Sequence, residues 1–337
     1  MHALLLAAGF GSRLKALSEQ RPKPLLPVCN QPLIRWGLAW LAEHGQVQAT
    51  INLHHMAEMF VEELGEQAEG VALSYAFERE QILGTGGGVK QMAAQLDRDR
   101  LLIANAKLVS EVDLGRLLER HIASGAVATM VVRPTTSAAW RSIGVDASSG
   151  MIARLVEVTA PNRRSSSEYM FSGIHIVEPE LVDLIPAGPQ CIIRTAYQEL
   201  LRRGAPIAAF IDEGYFAENS TAERYLRTNL ELTSATFALN RRLPGPQSGV
   251  HPTAEVASTA RVSAAALIGP QAIIEADAQI GPRAVIGRGA RVASGCRVEN
   301  SVIWPGASLA QSVDHAIVTP GGIAQLDRQA VADSCDG

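Results

Sequence analysis

Leu4-Leu5-Leu6-Ala7-Ala8-Gly9-Phe10-Gly11-Ser12-Arg13-Leu14, continued by Arg21-Pro22-Lys23-Pro24-Leu25-Leu26-Pro27-Val28, is the stretch on which the reading of this chain turns. An apolar strand, Ala3 to Ala8, empties into two glycines spaced for a tight turn. Such a turn presents free backbone N–H groups to phosphate oxygens, and Arg13 and Lys23 add the positive charge that a triphosphate needs. Two rival phosphate loops fail on residues. A dinucleotide fingerprint wants a third glycine where Leu14 stands, and a P-loop wants Gly-Lys-Ser/Thr closing a longer loop. The bland alternative is that two glycines and two cations merely make a surface turn, the usual reading of an isolated Gly-x-Gly.

The compound pattern Gly-x-Gly-x-Arg-Leu followed by Pro-Lys-Pro-Leu-Leu-Pro resembles the signature of the sugar-nucleotide pyrophosphorylases, or sugar-1-phosphate nucleotidyltransferases. The resemblance implies that Ala7, Ala8, Gly9, Gly11 and Ser12 bind nucleotide, and that Arg13 and Lys23 are catalytic. The run from Glu78 through Leu83-Gly84-Thr85-Gly86-Gly87-Gly88 is similar to the family's second nucleotide loop, with Glu78, Thr85, Gly86 and Gly87 as its contacts. Tyr169 to Ile176 resembles the strand lining the sugar pocket. Gly173 there leaves room for the ring, Glu157 matches a sugar-binding glutamate, and Asn105 is a further sugar-site candidate. His175 reads as a packed strand residue, since nothing nearby supplies a nucleophile for it to activate.

The departures from the family pattern are equally informative. Where the family carries a Gly-Asp pair that holds Mg²⁺, this chain reads Ala104-Asn105-Ala106-Lys107. The second metal carboxylate position falls in Phe216-Ala217-Glu218-Asn219, where Glu218 keeps the charge but not the length, and the lysine that often follows the sugar-binding glutamate is Val158. A protonated lysine has no lone pair for a metal, so the Mg²⁺ expected of the family is in doubt here and Glu218 is a weak metal ligand candidate. Lys107 becomes a candidate catalytic cation. Two readings follow: a nucleotidyltransferase joining a sugar 1-phosphate to a nucleoside triphosphate, or a catalytically impaired regulatory homologue that binds a sugar nucleotide.

The chain has 337 residues, 47% hydrophobic and 19% charged, with a net charge of −4. That length suits two domains. No apolar run approaches the roughly 20 residues of a bilayer span, the start lacks a signal-peptide pattern, and the charge gives no case for nucleic acid. A cytoplasmic protein without membrane or nucleic-acid partners is expected. Cys29, Cys191, Cys296 and Cys335 lack the spacing of a zinc site or disulfide framework.

Candidate strands at Ala3–Ala8, Ala49–Leu53, Val71–Phe77, Leu101–Asn105 and Val127–Val132 alternate with helical periodicity, which predicts an α/β, Rossmann-like, doubly wound and mostly parallel sheet. Asn30 is the expected N-cap of a helix carrying Leu33, Trp36, Trp40 and Leu41 and ending at Gly45. Beyond a Pro/Gly-rich stretch an aliphatic residue recurs every six positions: Val250, Val256, Val262, Ile268, Ile274, Ile280, Ile286, Val292 and Val298. A small residue follows each of the first eight at an offset of four, from Ala254 to Cys296. This resembles the hexapeptide repeat of a left-handed parallel β-helix. The expected division is 1–238 nucleotidyltransferase domain, 239–249 linker, 250–325 β-helix and 326–337 tail. The flat faces and end of such a prism suit self-association, so a homo-oligomer is expected. His251 and His315, at the two ends of the array, read as solvent-facing polar residues rather than acyl-transfer catalysts.

Overall fold

The computed structural model describes residues 1–334 apart from Thr136, Ala138, Ala139, Arg141, 235–238 and Asn240. Cys335 and the expected boundary residues Ala238 and Asn240 therefore lie outside the described residues.

The first part carries strands β1 (His2–Leu6), β2 (Pro27–Val28), β3 (Gln31–Pro32), β4 (Gln48–Leu53), β5 (Gln67–Ala68), β6 (Val71–Phe77) and β7 (Leu101–Asn105). There follow β8 (Leu108–Ser110), β9 (Ala128–Arg133), β10 (Ile143–Asp146), β11 (Met151–Leu155), β12 (Val158–Thr159), β13 (Ser167–Val177), β14 (Ile207–Ile211) and β15 (Phe216–Glu218). The helices are α1 (Ala16–Gln20), α2 (Leu33–Glu43), α3 (Ala57–Leu64), α4 (Gly84–Ala93), α5 (Leu114–Ser124), α6 (Pro179–Asp183), α7 (Gln198–Arg202) and α8 (Ala222–Leu232).

Strands β6, β4, β1 and β7 lie side by side and parallel; the central β1 and β7 are apolar and almost wholly buried, whereas β6 nearer the edge alternates buried and exposed residues. The chain winds outward from β1 through β4 to β6 and then returns to lay β7 on the opposite side of β1. That reversal creates a crevice at the carboxyl ends of β1 and β7, where open α/β sheets bind ligands. Beyond β7 the sheet becomes mixed, since β13 runs antiparallel to both β7 and β9. β1 stops two residues before the expected Ala8, because the Ala7 N–H leaves the ladder for the side chain of Asn52 at 2.8 Å.

Asn30 does not cap α2, which is a correction to the sequence reading. Pro27–Val28 and Gln31–Pro32 pair as a hairpin whose turn puts Cys29 and Asn30 at positive φ, and α2 starts after Pro32 with no side-chain cap. Asn30 instead donates its amide to the Ile286 carbonyl at 2.9 Å. Gly45 does stand just past the helix, at φ +71°.

The C-terminal part forms the hexapeptide-type left-handed β-helix, with three parallel sheets stacked along one prism. Val250 pairs with Ile268 and Ile268 with Ile286, so each coil consumes three hexads. The inward column from Ile268 through Val298 is fully buried together with Ala266, Ala272, Ala278, Ala284 and Ala290. Val256, which the repeat would put inside, keeps 36% of its surface exposed, and Val250 keeps 47%, because the first coil has no coil beneath it. At the opposite end Gly322–Gln325 turns back antiparallel on Ala316–Thr319 and closes the sheet. Within the expected tail Arg328–Asp333 forms helix α9, which follows a cap at Asp327 and packs on α8.

One prism face docks on the first part. Leu267, Val285, Val302 and Ile317 point outward from it into a cluster with Leu26, Val28, Leu226 and Leu230. Each large apolar side chain so buried contributes about 1.5–3 kcal/mol. None of the described helices is long and apolar enough to cross a membrane.

Candidate active site at the carboxyl ends of two central strands

Pairing of Leu6 with Asn105, extended by the Ala106 N–H bonded to the Leu6 carbonyl at 3.0 Å, sets the glycine loop beside the residues that follow β7. Between them lies a cavity of about 220 Å³. Of the residues named from sequence, Ala7, Ala8, Gly9, Lys23, Thr85, Asn105 and Lys107 line it. Gly11 turns at φ +70° with the Lys23 stem packed close by, and Ser12 and Arg13 follow as an exposed short turn anchored by buried Leu14.

Asn52, which sequence reading missed, joins the two glycine loops. Its oxygen takes the Ala7 N–H, and its amide donates to Glu78 Oε1 at 2.6 Å. Glu78 Oε2 in turn accepts the Leu83 N–H at 2.6 Å. Glu78 is buried, and its two carboxylate oxygens tie Asn52 to the second loop. A polar residue between Ile51 and Leu53 at the end of an apolar strand was the available signal for Asn52. A Cβ at Gly88 would stand 2.6 Å from the Asn52 amide nitrogen.

The glycines of the second loop answer to protein neighbours. A Cβ at Gly86 would stand 3.0 Å from Gln190 Cγ, and one at Gly87 would stand 2.6 Å from the Gly188 carbonyl oxygen. The Gly86 N–H donates to the Gln190 carbonyl, and Ile192 N–H to the Thr85 hydroxyl. Gly173 is similar: at φ +83° its missing Cβ is what admits the Asn105 amide. Glu157 lies in the turn between β11 and β12, and is not among the residues lining the cavity.

Glu218 faces Lys107 because β15 pairs with β8 and brings Glu218 opposite Leu108. Lys107 and Glu218 form an ion pair. Glu218 Oε2 also accepts the Ser220 hydroxyl and Arg224 Nη1, the latter at 2.8 Å. These contacts outweigh burial and hold the Glu218 carboxyl at about 2, so it is ionised at any working pH. Burial, reinforced by Lys107 and Arg13 against the opposing pull of Glu218, lowers the Lys23 ammonium to about 8.

The Mg²⁺ implied by the sequence resemblance does not fit these residues. One of the two expected ligand positions carries an ammonium, and the other is a carboxylate already bonded to Lys107, Ser220 and Arg224. Among the described residues no three His, Cys, Asp or Glu side chains gather as a metal cluster. His175 is buried with Nδ1 2.5 Å from the Tyr197 hydroxyl, and burial lowers it to about 3, which leaves it neutral and structural. His315, read as solvent-facing, is buried beside Asp314, with Nδ1 2.8 Å from the carboxylate.

The sequence model of the nucleotidyl transferase family matches residues 2–234. The chain belongs to that family. The model of the bacterial transferase hexapeptide, six repeats, matches residues 265–300. The chain is 29% identical over 234 residues to a mannose-1-phosphate guanylyltransferase of Mycobacterium tuberculosis, covering 68% of this chain and 64% of that one. It is 30% identical over 203 residues to a UTP–glucose-1-phosphate uridylyltransferase of Synechocystis, covering 56% and 52%. A D-glycero-alpha-D-manno-heptose 1-phosphate guanylyltransferase of Aneurinibacillus thermoaerophilus is 31% identical over 134 residues, covering 40% and 58%. The chain thus spans between about half and under two thirds of the length of these relatives. HddC from Yersinia pseudotuberculosis, solved with GMP-PN, shares the fold with a TM-score of 0.56 at 19% identity, over 67% of this chain and 97% of HddC.

Proposed function

We propose that this nucleotidyl transferase condenses a sugar 1-phosphate with a nucleoside triphosphate to give a nucleoside diphosphate sugar and pyrophosphate. An oxygen of the sugar phosphate attacks the α-phosphorus, the bond from that phosphorus to the β-phosphate oxygen breaks, and pyrophosphate leaves with the bond's electron pair. The reaction asks mainly for alignment and for charge neutralisation. The observation that carries the proposal is the convergence of Lys23 and Lys107 with the glycine-loop backbone around one cavity, at the crevice where the sheet reverses. Loop N–H groups and Arg13 hold the leaving phosphates, Lys23 neutralises the reacting ones, and Asn105 with Glu157 and Gly173 belongs to the sugar side.

The relatives' names support guanosine or uridine triphosphate with mannose, glucose or heptose phosphates as the first substrates to try. A cytoplasmic location, where both substrates are made, and self-association through the prism belong to the same reading. The test is a panel of nucleoside triphosphates against sugar 1-phosphates, followed by pyrophosphate release. Release that requires both substrates supports the proposal; sugar-nucleotide binding with no release from any pair moves the protein to the regulatory reading.

A further inference from the structure

Positively charged side chains gather at the crevice. Lys23 and Lys107 both line the cavity, Arg13 lies near enough to act on Lys23, and Arg224 sits behind Glu218. Among the described residues, Glu218 is the one carboxylate bonded to these cations. In a protein of net charge −4 this is a local concentration, and like charges packed together are stabilised by an anion placed between them.

Lys107 is held in place from both ends. The Asn219 N–H donates to the Lys107 carbonyl at 3.1 Å, its backbone runs into the β8–β15 ladder, and its ammonium is paired with Glu218. Releasing Glu218 to ligate a cation would break its bonds to Lys107, Ser220 and Arg224 together. It would also bring a divalent ion against an ammonium. A phosphate group meets no such obstacle, since it adds acceptors where Lys23 and Lys107 offer donors.

We propose that the Lys107–Glu218 pair is a resident substitute for a divalent cation, so that Lys107 and Lys23 together bind the phosphates of a metal-free nucleoside triphosphate. The proposal rests on the nucleotidyltransferase reading, and deepens it by assigning the charge state of the nucleotide recognised. Glu218 fixes the ammonium of Lys107 without neutralising the crevice, because Arg224 shares that carboxylate.

The test is calorimetric titration of the whole protein with UTP and with GTP, in EDTA and then in millimolar Mg²⁺. Affinity in EDTA should equal or exceed that in Mg²⁺. Lys107→Ala should lose tenfold or more in EDTA, Lys107→Arg should retain most of the affinity, and Lys107→Asp should bind only when Mg²⁺ is supplied. Thermal melts of each variant separate lost charge from lost fold, with Lys107→Arg as the variant expected to melt like the parent. Parent protein that binds nucleotide tenfold or more weakly in EDTA overturns the substitution while leaving the nucleotidyltransferase reading intact. Equal affinity of the parent and a folded Lys107→Ala in EDTA also overturns it. Parent protein that binds no triphosphate in either buffer removes the nucleotidyltransferase reading itself, and this inference with it.

Discussion

The Trp304 indole N–H, on the β-helix, donates to the Tyr225 hydroxyl of α8 at 3.0 Å, and that hydroxyl donates to the Pro27 carbonyl at 2.6 Å. One buried phenol thereby links the prism to the hairpin that follows Lys23. Tyr225→Phe leaves the indole N–H and the Pro27 carbonyl buried without partners, a loss of roughly 1–3 kcal/mol. Because both parts share the cluster around Leu267 and Leu226, denaturant should unfold them in one transition with its midpoint lowered in the variant. Two separated transitions in the parent protein would contradict this coupling.

Two glycines near the site make opposite predictions. Gly173→Ala places a methyl group on the Asn105 amide at a backbone angle of φ +83°, which should cost about 1 kcal/mol or more in stability from the backbone alone. Gly9 has open space where a Cβ would go, so Gly9→Ala should leave stability within about 0.5 kcal/mol. A fall in nucleotide affinity in Gly9→Ala without a fall in Tm would then report close approach of phosphate to the loop; a stable Gly173→Ala would refute the packing argument.

Arg13 is exposed and anchors no other described side chain by an ion pair, so Arg13→Ala should melt like the parent. Charge-assisted contacts to phosphate contribute roughly 1.5–3 kcal/mol. Triphosphate affinity or kcat/KM should therefore fall tenfold or more. Unchanged affinity and turnover would take Arg13 out of the site.

Lys23 should give nucleotide binding a pH dependence. Its folded ammonium titrates near 8 against 10.5 for the free side chain, and phosphate recognition needs the charged form. Affinity should decline as pH rises past about 8 in the parent and stay flatter in Lys23→Arg. Stability moves the other way. The folded state binds the Lys23 proton more weakly than the unfolded chain, so the penalty is complete below pH 8 and is relieved between about 8 and 10.5. Comparing parent and Lys23→Met unfolding across that window isolates the effect; identical pH profiles would contradict it.

The β-helix was legible because its period is local: one coil needs three hexads, whereas the outward Leu267 and Val285 show a docking face only once Leu26 and Leu226 are packed on them. The period breaks after Val298, where Ile303 replaces the expected sixth residue, so the last coils could not be counted ahead. In the site, Lys107 and Glu218 were readable as departures from a pattern. That the two pair with each other was not readable, since only the β8–β15 pairing brings Lys107 to Glu218 from 111 positions away. Likewise, Gly86 and Gly87 read as nucleotide contacts, yet the space they leave is taken by residues 188–192, about a hundred positions away in sequence. Asn30 failed as a helix cap because a two-residue hairpin occupies the segment before Pro32.

The most direct measurement is ³¹P NMR of a reaction containing the protein, a sugar 1-phosphate and GTP or UTP. The account predicts loss of the triphosphate signals matched by equal growth of pyrophosphate and of a sugar-linked diphosphate, with none of this when either substrate is omitted. Nucleoside diphosphate and inorganic phosphate as the only products, or unchanged spectra with every substrate pair, would contradict it.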